Sequence, residues 1–164
     1  MKLRELKMKD AEFMLEWMHD KDVVQHLQAD FASKTLADCQ AFIENSKNHS
    51  ESLNLAIVDD QDEYMGTVSL KHIDDMEKSA EFAITMRKKA MGAGFSKYGM
   101  EEILRIGLEE LGLKAIFWCV SVENQRAIRF YNKGMGILTQ QVPRKILQKY
   151  ENAELGSLLW YVKR

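Results

Sequence analysis

Two short segments of the chain combine residue types whose spacing could support chemistry, and the first is a basic turn that contains glycines. Arg87, Lys88 and Lys89 stand immediately before Ala90-Met91-Gly92-Ala93-Gly94, and Lys97 follows. Two glycines at a strand-to-helix turn allow backbone N–H groups to converge on an anion, and a helix N-terminus adds partial positive charge. With its cations, this turn suits a pyrophosphate, although a glycine turn alone more often simply reverses the chain.

The cysteines and the clustered carboxylates do not predict a metal site. Cys39 and Cys119 lie far apart, without CxxC or histidine spacing, so we expect reduced thiols rather than a disulfide or a zinc ligand set. The acidic residues 59–63 follow a predicted strand, and nothing spaces their carboxylates as metal ligands. This acidic segment is therefore interpreted as a solvated turn.

Hydrophobic periodicity predicts the elements that must position these segments. Asp10, an N-cap type residue, begins a helix, and Ser33 or Thr35 begins another, with Asp38 completing a capping box after Thr35. Trp17 and Phe42 are expected in the core. The predicted elements in chain order are a strand at Leu3–Lys7, a helix over Phe13, Met14, Trp17 and Met18, a short helix at Asp22–Leu27, a helix with Leu36, Cys39, Gln40 and Ile43 on one face, and strands at Leu53–Val58, Tyr64–His72 and Ser79–Met86.

The second half alternates helices with strands. Met100 to Leu111 carries an apolar stripe at helical spacing and is closed by Gly112, which suits the C′ position. Ala115–Val120 is nearly continuously apolar, as in a strand buried on both faces. A short helix at Asn124–Lys133 and strands at Ile137–Val142 and Ser157–Val162 complete the predicted elements. The three consecutive strands imply an antiparallel meander, so the fold class is mixed α/β.

Length and charge exclude several functional classes. The 164 residues carry 23 Lys plus Arg and 25 Asp plus Glu, a net charge of -2, so the strong basic excess of a protein that coats nucleic acid or anionic membrane is missing. The length predicts one domain spanning residues 1–164. Charges near the N-terminus and the lack of an apolar run of about 18 residues predict a cytoplasmic protein without membrane contact. The apolar final strand would permit a homodimer.

The two segments together resemble the GNAT acetyltransferase family. Its signature is a strand, a (Gln/Arg)-x-x-Gly-x-(Gly/Ala) loop, a long helix, a strand and then Asn-x-x-(Ala/Ser)-x-x-x-Tyr-x-Lys. Lys89 to Gly94 matches the loop, and Asn124, Ala127, Tyr131 and Lys133 match the second part in order and spacing. Residues 15–23 also look like the subgroup that acetylates ribosomal proteins and amino sugars. The resemblance implies a mostly antiparallel twisted sheet of six to seven strands flanked by helices, with a cofactor wedge between two splayed strands.

The resemblance further implies acetyl transfer from acetyl-CoA to an amine, without a metal. The Ala90 to Phe95 loop would hold the CoA pyrophosphate through backbone amides, and Asn124 would bind the pantetheine arm. Tyr131 would protonate the departing thiolate, although on the residues alone it reads as a packed aromatic side chain. A backbone N–H such as that of Ile84 would face the oxyanion. The cofactor-binding residues assigned in this way are Phe82, Ala83, Ile84, Lys89, Ala90, Met91, Gly92, Ala93, Gly94, Phe95, Asn124 and Lys133.

The sequence departs from the family pattern at three places. Lys89 replaces the usual Gln or Arg, the glycine after the tyrosine is displaced to Gly134, and Cys119 stands where some members place a glutamate base. A buried thiol is the simpler interpretation of Cys119. The candidate general bases are Glu81 and, second, His72. Because side chains alternate along a strand, Glu81 should point away from Phe82 unless a bulge intervenes.

The sequence therefore predicts an acetyl-CoA-dependent N-acetyltransferase whose acceptor stays open. A small-molecule amine, possibly that of an amino-sugar nucleotide, and a protein N-terminus are both compatible with the resemblance. An acidic sugar nucleotide would need further cations, and Arg144, Lys145 and Lys149 are candidates. The alternative function is a CoA-binding sensor or interaction module with the same fold and no turnover.

Overall fold

The architecture is a seven-stranded sheet with helices on both faces. The computed structural model describes residues 1–27, 29–48, 50–150 and 157–164. Its strands are β1 (Lys2–Glu5), β2 (Leu53–Val58), β3 (Tyr64–Asp74), β4 (Ser79–Met86), β5 (Ala115–Ser121), β6 (Ile137–Leu138) and β7 (Leu158–Lys163). They lie in the order β1-β2-β3-β4-β5-β7-β6. All neighbouring pairs are antiparallel except β4 and β5, which are parallel.

Six α-helices connect or cover these strands. They are α1 (Ala11–Met18), α2 (Lys21–Val24), α3 (Leu36–Asn45), α4 (Phe95–Arg105), α5 (Gln125–Tyr131) and α6 (Arg144–Leu147). A π-helical turn, Ile106–Glu110, extends α4, and Gly112 follows with φ +71°. Single 3₁₀ turns occur at Met8–Asp10, Ser46–Asn48, Lys88–Ala90 and Gln148–Tyr150. Among the described residues, no helix is both long and apolar enough to cross a bilayer.

Side-chain alternation along the central strands separates two packing layers. Leu70 of β3 and Phe82 of β4 face α4, where they pack in one core with Met100 and Ile103. On the opposite face, α1 and α3 bury Met14, Trp17, Cys39 and Ile43 against the β1–β3 end of the sheet. A third cluster, Phe117, Ile146, Trp160 and Val162, lies where α6 meets β5 and β7. The middle of the sheet is thus covered on both sides.

Most predicted elements are confirmed, including the mixed α/β class and the mostly antiparallel sheet. Thr35, rather than Ser33, caps α3: its hydroxyl accepts from the Asp38 N–H, and Asp38 Oδ2 accepts from the Thr35 N–H at 2.8 Å. The first strand ends at Glu5 instead of Lys7, and the predicted Asp22–Leu27 helix is the single turn α2.

Two predictions were wrong, one about the burial of Phe42 and one about the length of a strand. Phe42 is 41% exposed, because α3 turns Cys39 and Ile43 toward the sheet and leaves Phe42 to one side of that face. The strand predicted at Ile137–Val142 contains only β6, because the chain turns at Thr139, whose hydroxyl accepts from the Gln141 N–H at 3.1 Å.

Candidate active site

The parallel pair β4–β5 opens into a wedge. Its register comprises Ser79 with Ala115, Ala80 with Ile116 and Glu81 with Phe117, and pairing stops there although both strands continue. Two parallel strands that separate leave backbone N–H and C=O groups without sheet partners and therefore open to a ligand. The structure thus has a gap at the place where the sequence resemblance predicted one.

A first cavity of about 880 Å³ occupies the α4 side of this wedge. Its walls are the C-terminal half of β4, the glycine turn before α4, the start of α5 and the segment around α2. The residues that line it are Asp22, Val23, Gln25, His26, Ile84, Met86, Lys88, Met91, Gly92, Gly94, Ser96, Lys97, Asn124, Gln125, Arg126, Ala127, Phe130 and Tyr131. The two segments singled out in the sequence therefore meet in one cavity.

The glycine turn has the geometry of an anion cradle. Gly92 and Gly94 have φ values of +80° and +89°, a region that side chains with a Cβ rarely adopt. Gly94 is the N-cap residue of α4, so the first N–H groups of that helix have no partner within the helix itself. Both glycines line the first cavity. Backbone conformation and helix polarity thus favour an anion here.

Two of the four cations predicted around this turn, Arg87 and Lys89, do not line the cavity. The buried Arg87 guanidinium pairs with Glu16 at 2.7 Å and with Glu63 at 2.7 Å, and it stacks on Phe13 at 4.2 Å from the ring centroid. Lys89 also binds Glu63, at 2.7 Å. These charges hold the turn against α1 and the acidic segment before β3, so they stabilise its position rather than face the cavity.

Three other cations reach the first cavity. Lys88 lines it but pairs with Asp22, also a lining residue, at 2.8 Å. Lys97 lies 3.9 Å from Glu101, at the limit of an ion pair. Arg126 donates only a weak bond to Met91 Sδ at 3.6 Å, so its guanidinium is the least committed cation in this lining. It occupies a variable position of the Asn124 motif, and for that reason the sequence did not single it out.

The structure brings together about half of the residues predicted to bind the cofactor. Ile84, Met91, Gly92, Gly94 and Asn124 line the first cavity. Outside its lining lie Phe82, Ala83, Lys89, Ala90, Ala93, Phe95 and Lys133. Phe82 and Ala90 are buried in the core, with Phe82 edge-on to Trp118 at 5.7 Å. Lys89 is held by Glu63, and Lys133 is exposed after α5.

Asn124 and Tyr131 occupy the two ends of α5. The Asn124 side-chain oxygen accepts from the Ala127 N–H at 3.2 Å and so caps the helix. Tyr131 packs among Trp118, Phe130 and Tyr161, with ring centroids 5.3 to 5.6 Å away. Burial raises the pKa of the Tyr131 hydroxyl, which is therefore protonated near neutral pH. It has no hydrogen-bond partner among the described residues, so its proton is available to a ligand in the cavity.

A second cavity of about 440 Å³ lies across the sheet from the first. Its polar floor consists of alternate residues of the central strands, namely Asn54, Thr67, Ser69, Lys71, Ala83 and Thr85. Its other walls come from α1, α3 and the segment between α2 and α3, namely Met14, Trp17, Met18, Phe31, Lys34, Asp38, Ala41, Phe42 and Asn45. Ile84 lines both cavities. The two spaces therefore meet across β4, close to the wedge.

The two candidate bases form one hydrogen-bonded pair. His72 Nδ1 lies 2.9 Å from Glu81 Oε1, and the Tyr150 hydroxyl donates to Glu81 Oε2. Glu81 is buried and, as alternation predicted, lies on the opposite face from Phe82, where it turns toward Tyr150 beside β5. His72 is half-buried and connects the pair to solvent. Tyr150 could not be found from the sequence, because it lies 69 residues from Glu81 and meets it only through the tertiary fold.

The remaining candidates have structural roles. Burial raises the pKa of the Cys119 thiol to about 11, so it stays protonated and is a poor nucleophile. Lys145 is bound to Asp74 at 2.8 Å, whereas Arg144 and Lys149 are exposed, and none of the three lines either cavity. Among the described residues, no three His, Cys, Asp or Glu side chains cluster as metal ligands.

Solved structures with the same architecture include two of spermidine N-acetyltransferase from Vibrio cholerae. One, in complex with CoA and spermine, has a TM-score of 0.77 and 20% identity and covers 86% of this chain and 83% of the other. The second, a single-site variant, has a TM-score of 0.76 and 19% identity and covers 99% and 94%. At these identities the likeness concerns the fold, and it confirms the expected sheet and wedge.

Sequence comparison identifies the family. A spermidine N(1)-acetyltransferase of Vibrio cholerae serotype O1 is 30% identical over 90 residues, which are 54% of this chain and 52% of that protein. The match thus spans about half the length of this curated relative. The model of the acetyltransferase (GNAT) domain matches residues 1–134, most of the chain and both motifs. The chain belongs to the GNAT acetyltransferase domain family.

Proposed function

We propose that residues 1–164 act as one acetyl-CoA-dependent N-acetyltransferase domain that acetylates a primary amine. The observation that carries this proposal is the convergence of the wedge, the glycine turn and the free Tyr131 hydroxyl on one cavity of about 880 Å³. That cavity is within the size range of small-ligand and cofactor sites. Family membership supports acetyl-CoA as the co-substrate.

In the proposed complex, the cofactor enters on the α4 side of the sheet. Its pyrophosphate lies against the N–H groups around Gly92 and Gly94, and Arg126 and Lys97 supply positive charge. The pantetheine arm extends along β4 past Ile84 toward Tyr131. The acceptor amine approaches from the second cavity, which meets the first at Ile84.

The proposed reaction is direct attack of the neutral amine on the thioester carbonyl carbon. A C–N bond forms, the carbonyl oxygen becomes an oxyanion that a backbone N–H of the wedge stabilises, and the C–S bond then breaks. Tyr131 donates its proton to the departing thiolate, and the proton that the nitrogen loses as the amide forms returns to the Tyr131 oxygen through water. The ammonium form of the acceptor loses its proton to Glu81 through water, and His72 passes that proton to solvent.

Acetyl transfer itself is tested with purified protein, acetyl-CoA, a panel of amines and detection of released thiol. The panel includes spermidine, the substrate named for the relatives, together with an amino-sugar nucleotide and a peptide with a free N-terminus. Release of CoA that depends on an amine supports the enzyme. Acetyl-CoA binding without transfer to any amine would instead favour the non-catalytic CoA-binding module. The predicted homodimer stays a prediction that sedimentation can test.

Arg126→Ala is expected to raise the Kd for acetyl-CoA about tenfold, measured by calorimetric titration. A charge-assisted hydrogen bond to phosphate contributes about 1.5–3 kcal/mol, and solvent exposure reduces this to about 1.4 kcal/mol, or tenfold in Kd. Arg129→Ala is the matched control, because Arg129 is exposed on the same helix but does not line the cavity. Equal Kd values for both variants would contradict the assignment of Arg126.

Glu81→Gln is expected to lower kcat/KM by about 10²-fold near neutral pH, since a general base contributes at least this much. The deficit should shrink as pH rises, because the acceptor amine then loses its proton to bulk solvent without a base. The comparison is a pH–rate profile of Glu81→Gln and of Glu123→Gln, which changes an exposed carboxylate. A deficit that stays constant with pH would indicate that Glu81 only stabilises the fold.

A further inference from the structure

The charge of the second cavity restricts the acceptor that it can hold. Among the residues that the structure describes, its lining contains two ammonium groups, Lys34 and Lys71, and one carboxylate, Asp38. Neither lysine has an ion-pair partner among the described residues. In a chain whose net charge is -2, this cavity therefore presents a local positive surplus.

The one carboxylate of the lining is already engaged. Asp38 Oδ2 accepts from the Thr35 N–H at 2.8 Å and from the Thr35 hydroxyl at 3.1 Å, which closes the capping box of α3. Those bonds, with the nearby charge of Lys34, hold the pKa of Asp38 below its usual value. The carboxylate therefore stays ionised, but its Oδ2 oxygen is committed to the helix end.

Glu81, the carboxylate beside this face in the β3–β4 register, is also occupied. Glu81 lies opposite Lys71 in the β3–β4 register, but it is buried and bonded to His72 and Tyr150, and it does not line the cavity. A polycation in the second cavity would therefore meet two free ammonium groups without a row of carboxylates to offset them. Like charges repel, and a low-dielectric wall strengthens the repulsion.

The remaining walls suit a compact molecule with one apolar surface. Trp17 and Phe31 pack edge to face with centroids 4.9 Å apart, and Phe42 adds a third ring on the α3 side. Opposite them the sheet offers Thr85 and the Asn54 amide, whose oxygen accepts from the Ser69 hydroxyl at 2.6 Å while its NH₂ group stays available. About 440 Å³ is sufficient for a small molecule.

We propose that the acceptor of this enzyme carries an anionic group, a phosphate or a carboxylate, which binds between Lys34 and Lys71 while its amine reaches the shared wall at Ile84. The proposal rests on the proposed function. It names a substrate class that differs from the spermidine of the relatives, because the lining of this cavity is cationic. The aromatic wall covers the carbon skeleton of the acceptor, and the floor binds its hydroxyl or carbonyl groups.

The test compares acceptors in pairs that differ in one anionic group, with acetyl-CoA held at saturation and at a pH at which both amines of a pair are largely neutral. Glucosamine 6-phosphate is compared with glucosamine, and an amino acid with its methyl ester, so that the two pairs distinguish phosphate from carboxylate; spermidine is the polycation. We expect the anionic member of at least one pair to have a kcat/KM at least tenfold higher than its neutral partner. Spermidine should be the poorest acceptor.

Charge reversal then assigns the effect to the cavity. Lys34→Glu and Lys71→Glu should each lower kcat/KM for the anionic acceptor about tenfold and raise it for spermidine, whereas Lys114→Glu, an exposed change outside both cavities, should alter neither. Circular dichroism and the Kd for acetyl-CoA verify that each variant is folded. A preference for neutral or polycationic acceptors, or a preference that these variants leave unchanged, overturns the inference while transfer itself stands. Binding of acetyl-CoA without transfer to any amine overturns the proposed function, and the inference with it.

Discussion

Tyr131→Phe is expected to lower kcat by about 10²- to 10⁴-fold with little change in the Kd for acetyl-CoA. The variant removes one oxygen atom and leaves the ring among Trp118, Phe130 and Tyr161. A positioned general acid contributes a rate factor of this size. Because burial raises the pKa of Tyr131, the hydroxyl is protonated throughout the working pH range and can protonate the thiolate as it leaves. Steady-state kinetics by thiol release measures the loss.

Tyr161→Phe is the matched control for this variant. Tyr161 belongs to the same aromatic group, but its hydroxyl donates to Asn132 Oδ1 at 2.9 Å, and it does not line the first cavity. Its kcat should stay within about threefold of the unmodified protein, since losing one partly exposed hydrogen bond costs about 0.5–1.5 kcal/mol of stability and removes no reacting group. If both variants lose activity equally, packing of the aromatic group is responsible, and Tyr131 is not the acid.

Arg87→Met is expected to lower the free energy of unfolding by about 2 kcal/mol. The change removes a buried guanidinium that binds Glu16, Glu63 and the Tyr64 carbonyl and stacks on Phe13. Loss of one partner of a fully buried ion pair costs about 3–5 kcal/mol, and the partial exposure of both glutamates brings the expected cost down. Urea unfolding followed by circular dichroism measures the difference.

Lys88→Met supplies the comparison for Arg87→Met. Lys88 is the next residue in the same basic run, but it and its partner Asp22 are both exposed. The pair should therefore contribute little to stability, and the loss in Lys88→Met should be much smaller than that in Arg87→Met. Similar losses of stability in the two variants would show that Arg87 does not anchor the turn. A larger loss for Arg87→Met, with acetyl-CoA binding weakened in parallel, would link the position of the glycine turn to this buried cation.

The sequence was sufficient for several features that depend on neighbouring residues. The capping box of Thr35 and Asp38, the alternation along β4 and the two positive-φ glycines all arise from local backbone chemistry, and each is present in the structure. The Asn124 motif likewise places Tyr131 by helical spacing. Such features require no knowledge of which distant segments meet.

Features that depend on distant partners could not be predicted. Glu16 lies 71 residues from Arg87 in sequence, and Glu63 lies 24 residues away. The sequence therefore indicates a basic run that supplies positive charge to the glycine turn, and it does not show that Arg87 is a buried cation that holds the turn in place. Tyr150 meets Glu81 across 69 residues. The second cavity exists because α1 and α3 pack over one end of the sheet and leave Phe42 at its edge, an arrangement that helical periodicity alone does not specify.

The alternation of β4 between the two cavities has a consequence for substitutions. Met86 lines only the first cavity, Ala83 and Thr85 line only the second, and Ile84 lines both. Substitutions at odd-numbered positions of this strand and of β3 can therefore remodel one ligand surface while the other keeps its shape. In the proposed arrangement, such substitutions would change the acceptor surface while the lining of the proposed acetyl-CoA cavity at Met86 and the glycine turn stays the same.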